Sequence, residues 1–473
     1  MPLFPEKPAS NERRRNFARL LAPAILIFGA LGAALVWRVT SSPPTPAASA
    51  PAAPTADEIL ATLPTPTGIS RTSEALQSLM QKVRANPAEA SVWVGLGDVL
   101  AQVQRDTMDE AYYSHAEAAY QHALMLDPGS VDAMIGMSWV TGGRHFFDRS
   151  SEWANRALAL DPSNAAARGL LGDAAVELGD YEAAFGQYQA MMDLKPDLSS
   201  WSRGAHLLWL TGDSRKAMWL MEKAIKAGAP FAENTAWCRA RLAMMLFQQG
   251  AFTPAAQMLE PSLKSAPKNS HVLLAAGRIA SARGDFSAAE TYFQAVLETG
   301  LNHDALVALG DLHAVRGETA EAESYYDRVE ALEKERFARA GHGHMAMARF
   351  YADHDRKLIE ALRMAEERKL TRNVHEADTL AWVYFKIGDL KRATDAIKRA
   401  LSQNTQEAEI HFHAGMIAAK LGDRVSGQTH LQRALSLNPQ FSPVQAPIAV
   451  ATLQELGGKS TATATSDAEA PAR

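Results

Sequence analysis

Residues 167–196 read ARGLLGDAAVELGDYEAAFGQYQAMMDLKP, and this stretch decides the fold. Two apolar-periodic runs flank a Gly179-Asp180 step. Glycine takes the left-handed conformation that ends a helix at little steric cost. Aspartate next to it accepts a hydrogen bond at the start of the following helix. Ala184 is small enough to let two helices approach, and Tyr188 and Met191 cover the same apolar face at helical spacing. Pro196 then stops the second helix. The segment therefore predicts a helix, a tight Gly-Asp turn and an antiparallel helix.

The same punctuation recurs along the chain. Gly179, Gly212, Gly250, Gly284, Gly317, Gly388 and Gly422 are separated by 33, 38, 34, 33, 71 and 34 residues, and five of them precede aspartate. Pro128, Pro162 and Pro196 are spaced by 34 residues. A fixed period near 34 is a repeat signature that takes precedence over any local motif.

These units resemble the tetratricopeptide repeat, whose pattern runs Trp-x2-Leu-Gly-x2-Tyr, then Ala-x3-Phe, then Pro. Trp93, Leu96 and Gly97 match its start, and Ala116, Tyr120 and Pro128 its end; about seven extra residues lie between them, within QVQRDTMDE. Further matches are Leu171 and Gly172, Ala255, Leu259 and Pro267, Gly277, Ala289 and Phe293, Leu309, Gly310, Ala322 and Tyr326, Ala393, Ile397 and Ala400, and Ala434 with Pro439. The expected architecture is all-α: a right-handed superhelical solenoid of about ten helix-turn-helix repeats over 90–440. A capping helix precedes it over 71–89, and another follows over 441–457.

The resemblance implies a concave groove lined by first helices, which in this family usually takes a peptide or a partner helix. Counting inward first-helix positions from each turn gives Trp139, Asp173, Glu177, His206, Trp209, Trp237, Met244, Phe247, His271, Arg278, Asp311, His375, Asp378, Trp382 and Phe385. Aromatic residues on a concave face suit binding anchors. The competing reading is that the superhelix is tight and these side chains pack between repeats. Trp93 and Trp201 stand at the repeat's own core position. One variant of the family grips a C-terminal carboxylate with inward lysine and asparagine; Ser91, Val94 and Asp98 occupy those positions of the first repeat, so that clamp is not expected.

Residues 1–19 carry Arg13, Arg14, Arg15 and Arg19, and Leu20 to Trp37 follow without a charge. Eighteen residues make a helix of about 27 Å, enough to span a bilayer core. A transmembrane signal anchor over 20–39 is expected in the inner (cytoplasmic) membrane, with the basic segment cytoplasmic and the repeats extracytoplasmic or periplasmic. The rival reading is a cleaved signal peptide, but its nearest small-x-small site, Ala48-Ser49-Ala50, is followed by Pro51. Residues 40–70 are rich in proline and alanine and read as an extended tether, able to reach up to ~90 Å. Residues 458–473 read as a disordered tail.

The chain has 473 residues, 47% of them hydrophobic, a formal net charge of −5 and one cysteine, Cys238. That charge gives no global basic surface for nucleic acid. A single cysteine excludes an intramolecular disulfide and a C-x-x-C metal or redox motif. No nucleophile or cofactor motif is left over once the repeats are assigned. LGGKS, from Leu456 to Ser460, lacks the earlier glycine and the preceding strand of a phosphate loop. The expectation is a non-catalytic, membrane-tethered scaffold for a protein or peptide partner of unknown identity. It would serve the assembly, secretion or maturation of a bacterial envelope complex, with no cofactor and no metal. The alternative is a metal-handling accessory protein using clustered histidines. That alternative rests on AGHGHMAMARFYADHD, residues 340–355. His342 and His344 are two apart, so on a helix they diverge by about 200°. The stretch reads more simply as a degenerate eighth repeat with DHD in place of Gly-Asp, although His375 from the next repeat would be the nearest recruit.

Overall fold

The computed structural model describes residues 55–63, 71–107, 109–228, 232–300, 302–340, 345–369 and 371–457. The expected basic segment, the membrane anchor and the C-terminal tail lie outside these residues, as do His342 and His344. Among the described residues no helix is long and apolar enough to cross a membrane. The chain divides into two units, 1–63 and 64–473.

In the first unit, helix α1 (Ala56–Thr62) interrupts the expected extended tether. The reason is local: Thr55 and Glu58 form a reciprocal capping box, and Ile59 and Leu60 supply an apolar face.

The second unit begins with α2 (Arg71–Ala85). Ten helical hairpins follow. The first five pair α3 (Ala90–Thr107) with α4 (Ala111–Leu126), α5 (Val131–Gly143) with α6 (Phe147–Leu160), α7 (Ala165–Glu177) with α8 (Tyr181–Leu194), α9 (Leu198–Leu210) with α10 (Ser214–Ala227), and α11 (Ala232–Gln248) with α12 (Phe252–Ser265). The second five pair α13 (Ser270–Ala282) with α14 (Phe286–Leu297), α15 (His303–Val315) with α16 (Thr319–Ala340), α17 (Met345–Asp353) with α18 (Leu358–Glu366), α19 (Val374–Lys386) with α20 (Leu390–Ala400), and α21 (Ala408–Lys420) with α22 (Arg424–Leu437). Helix α23 (Gln445–Glu455) closes the array. The extra residues of the first repeat are absorbed as added helix, since α3 has 18 residues where α5 and α7 have 13.

Every one of the seven periodic turn glycines has positive φ, between 71° and 84°. At Gly179 the N–H of Asp180 reaches back to the Ala175 carbonyl at 2.8 Å, a Schellman closure. Asp180, Asp213, Asp285, Asp389 and Asp423 each cap the next helix by accepting a backbone N–H. Three repeats do without the glycine, and in two of them a non-glycine residue is left-handed. His145 (φ 62°) and Asp355 (φ 52°) take the left-handed position instead. DHD is thus a degenerate turn, and Ala348 and Tyr351 of its helix are buried.

The hairpins are held by a wedge. In four repeats an aromatic ring of the second helix lies against a first-helix glycine: Tyr120 on Gly97, Tyr188 on Gly172, Phe293 on Gly277 and Tyr326 on Gly310. A Cβ at any of these glycines would stand 2.2–2.5 Å from a ring carbon. Where the second helix offers Leu259 or Ile397, the first helix has Ala243 or Ala381 in the same register, while Gly415 lies against Leu431.

Candidate interaction chambers

First-helix faces turn inward along the second unit, and the array coils far enough for later repeats to meet earlier ones. Asn373 Nδ2 donates to the Val176 carbonyl at 3.4 Å, Val374 N–H to the Tyr181 hydroxyl at 2.9 Å, and Asn438 Nδ2 to the Phe247 carbonyl at 2.9 Å. Trp209 Nε1 donates to Glu407 at 3.2 Å. These partners are 191 to 198 residues apart, so one superhelical turn takes five to six repeats.

Two chambers open among the described residues. The larger, about 790 Å³, mixes titratable and apolar side chains; Tyr113, His145, Phe147, Glu177, His206, Leu210, His375 and Glu376 are among its walls. The second, about 540 Å³, has an apolar floor of Phe247, Phe286, Phe293, Phe350 and Phe441, with Met244, Arg278 and Asp311 on its walls.

Of the inward set expected from sequence, Glu177, His206 and His375 reach the first chamber, and Met244, Phe247, Arg278 and Asp311 the second. Trp209, Phe247, Asp378 and Trp382 are at most 5% exposed; Trp209 and Trp382 pack between repeats, Asp378 sits in a buried ion cluster, and Phe247 shows only an edge to the second chamber. Trp382 lies between Phe385 and His413, with centroids at 4.8 and 4.2 Å. Trp139 is half-buried against Tyr113, with Arg105 over its ring. Trp237 carries Arg241 over its face, and His271 is exposed. Trp93 is fully buried with its Nε1–H on the Pro87 carbonyl at 2.8 Å, whereas Trp201 is half-buried under Lys223.

Two inward carboxylates are committed to the hairpin. Asp173 accepts the Tyr188 hydroxyl at 2.7 Å and is clamped by Arg203, with Nε and Nη2 both at 2.9 Å. Asp311 accepts the Tyr326 hydroxyl at 3.0 Å and lies 2.8 Å from His354 Nε2. Asp98 does the same for Tyr120 at 2.8 Å. The repeat that has Phe293 in place of tyrosine has Arg278 in place of aspartate. With no hydroxyl to receive, the carboxylate is gone and a guanidinium faces the second chamber instead.

Deeper in the array, Arg349 binds Asp378 at 2.7 Å, Asp353 at 2.9 Å and Glu409 at 2.6 Å. Burial alone would raise the Asp378 carboxyl, but the His413 and Arg349 charges hold it at about 2. Sequence reasoning did not name Arg349, Glu409 or His413; Arg349 and Glu409 stand in the same register as Arg278 and His375 and line the second chamber, whereas His413 is buried behind them. In the first chamber Arg241 Nη2 stands 3.0 Å from His206 Nδ1. A guanidinium only donates, so that nitrogen accepts and the ring is neutral. Burial, then the charges of Arg241 and His375, push the His206 pKa well below its ordinary value. Burial and the neighbouring Glu376 charge raise the Glu177 carboxyl. Cys238 is buried, and burial pushes its thiol up to about 12. Among the described residues, no three His, Cys, Asp or Glu side chains converge as a metal site.

Tetratricopeptide repeat family models match residues 143–199, 274–336 and 235–266. These segments of the chain carry tetratricopeptide repeats. A relative is the formate-dependent nitrite reductase complex subunit NrfG of Escherichia coli O157:H7, 30% identical over 122 residues. That match covers 25% of this chain and 58% of NrfG, so the chain spans little more than half of its curated relative. PilF of Pseudomonas aeruginosa is 21% identical, with 45% of this chain and 92% of that one covered and a TM-score of 0.34. The human IFIT1 dimer with m7Gppp-AAAA is 16% identical, with 70% and 76% covered and a TM-score of 0.48. TPR arrays generally act as non-catalytic scaffolds for protein partners, and the all-helical hairpins described above suit that role.

Proposed function

We propose that this chain is a membrane-tethered, non-catalytic TPR scaffold that holds a protein or peptide partner against its inward face. It would stand on the outer side of a bacterial inner membrane and assist assembly, secretion or maturation of an envelope complex. The observation that carries the reading is the pair of open chambers to which first-helix side chains contribute, one mixing titratable with apolar groups and one floored by phenylalanines. Polar groups that orient and apolar surface that binds are the two ingredients of a recognition site. The tether follows from the basic, then apolar, then proline-rich order of residues 1–70. The relation to NrfG, a subunit of a reductase complex, supports work on a multi-subunit assembly.

Crosslinking mass spectrometry in native membranes tests this. Crosslinks from chamber residues such as Arg278 or Glu177 to one recurrent partner are expected. Recovery of the chain with no partner, or with partners only on its outer face, would end the proposal. Protease added to intact spheroplasts is expected to digest the repeats; their protection would sink the assigned topology.

A further inference from the structure

The contacts between successive superhelical turns differ in kind from those within a turn. Within a turn, close helix packing joins elements that are next, or next but one, along the chain, and it buries whole apolar faces. Between turns the contacts run through caps, loops and helix ends, with Tyr181 and Trp209 reaching across from the lower turn. Gly179 backs onto the Arg372–Asn373 backbone, Gly212 onto the Asn404 carbonyl, and Gly250 onto Leu437 and Asn438. At three successive places a first-helix C-terminal glycine of the lower turn meets the loop that precedes a first helix, or the closing helix, of the upper turn.

The chemistry of the seam is specific. Carbonyls in the last turn of a helix lack an intrahelical partner. Val176 and Phe247 carry two of these carbonyls; each accepts the N–H of its own turn glycine, Gly179 or Gly250, and takes the side-chain amide of an upper-turn asparagine as a further donor. The same asparagines use their other end to organise their own turn. Asn373 Oδ1 accepts from His375 and Glu376 N–H, and Asn438 Oδ1 from Gln440 N–H. Each is therefore a two-ended clip, one end holding its own loop and the other the turn below. The clips lie beside the chambers, since Asn373 lines the first, and Phe247 and Gln440 line the second.

We propose that this seam is a releasable latch: Asn373 and Asn438 fasten the upper turn to the helix ends at Val176 and Phe247, and its release opens the two chambers. A net hydrogen bond contributes little next to a buried apolar helix face, so the seam parts while every hairpin stays folded. Arrays whose repeats touch only their neighbours deform by small rotations that accumulate along the stack, and a fastened turn is what prevents that here. The latch stands on these contacts alone; that the chambers receive a partner rests on the scaffold reading above.

The test is Asn373→Asp with Asn438→Asp in the full chain. Aspartate keeps both acceptor roles and caps a helix as well as asparagine does. It removes the donor and sets a carboxylate against a carbonyl. Nitroxides on Arg215→Cys and Ser402→Cys, both exposed and beside the Gly212–Asn404 contact, report the seam distance by pulsed electron resonance. Cys238 is buried and stays unlabelled. With both asparagines present a single short distance is expected. The double aspartate variant should show a second, longer population, the open-to-closed ratio rising roughly tenfold or more, with helical circular dichroism unchanged. An unchanged distance distribution overturns the proposal, and so does separation accompanied by loss of helix. The measurement is made without a partner, so failure of the latch and failure of the scaffold assignment are read separately.

Discussion

The Tyr188 hydroxyl donates to Asp173 at 2.7 Å while the ring of the same residue lies against Gly172, so one side chain both fills and fastens the third hairpin. Asp173 also holds Arg203, which makes it a junction between the third and fourth repeats. Tyr188→Phe removes one charge-assisted hydrogen bond and leaves the Arg203 pair intact, and should cost about 1 kcal/mol. Asp173→Ala strands a largely enclosed guanidinium and should cost more, about 2 kcal/mol after discounting for its partial exposure. Urea unfolding of the two variants gives the order; Tyr188→Phe costing as much as Asp173→Ala would refute this division of roles.

The glycine under that ring makes a sharper forecast. A Cβ at Gly172 would stand 2.2 Å from Tyr188 Cε1. Gly172→Ala should therefore destabilise by about 1–3 kcal/mol through overpacking. Elsewhere in the chain, repeats with alanine at this position have Leu259 or Ile397 in the second helix. Gly172→Ala combined with Tyr188→Leu should accordingly cost less than the sum of the single changes. A strictly additive double-mutant cycle would contradict the wedge.

These pairs show why the fold was legible. A 34-residue period, a glycine that must be left-handed and an aspartate that must cap are local requirements, and local requirements are written into local residues. The link between tyrosine in the second helix and Leu-Gly-Asp in the first was also there to be read, in residues 96–98, 171–173 and 309–311. Counting inward positions assigned Asp173 and Asp311 to a groove without asking what the tyrosine hydroxyls needed. The chambers were less legible. Which inward residues stay open depends on how turns stack, and Trp209 meets Glu407 across 198 residues. No window of sequence holds that relationship, so Trp209 and Trp382 looked the same as Met244 and Arg278.

Two glycines with nearly equal backbone geometry separate turn strain from seam contact. Gly179 (φ 73°) would place a Cβ 2.4 Å from the Arg372 carbonyl carbon, whereas Gly284 (φ 77°) has nothing within 4 Å. Gly284→Ala should cost about 1 kcal/mol, the left-handed penalty alone. Gly179→Ala carries that penalty and a clash with fixed backbone, so it should lower the midpoint of thermal unfolding further. Equal shifts for the two variants would show that the seam does not press on Gly179.

Cys238 offers a direct probe of the interior. It has no exposed surface, and burial pushes its thiol up to about 12, so almost no thiolate exists near neutral pH. Native protein should fail to react with a disulfide reagent over hours and should titrate one thiol at once in denaturant. Rapid labelling of the native chain would contradict the burial of this helix face.

The pH dependence of stability should carry the mark of His375. Its Nε2 lies 3.1 Å from both carboxylate oxygens of Glu407. The Glu407 charge raises its pKa to about 9, against burial and the repulsion of Arg241, and Asp378 adds to the rise. Burial works to raise the Glu407 carboxyl, but His375 charge and hydrogen bonding bring it below its ordinary value. The signs then fix a window. A raised histidine contributes stability that is complete below its unfolded value, about 6.5, and is lost as pH climbs through about 9. A lowered glutamate contributes above its ordinary 4.5 and loses that contribution as pH falls below it. His375→Gln should therefore lower the urea midpoint most near pH 6 and least near pH 10. Because the ring opens onto the first chamber, with its side chain 52% exposed, solvent screens the pair and the effect should weaken in 1 M salt. A midpoint difference that is the same at pH 6 and pH 10 would show that the ion pair contributes nothing to closing the array.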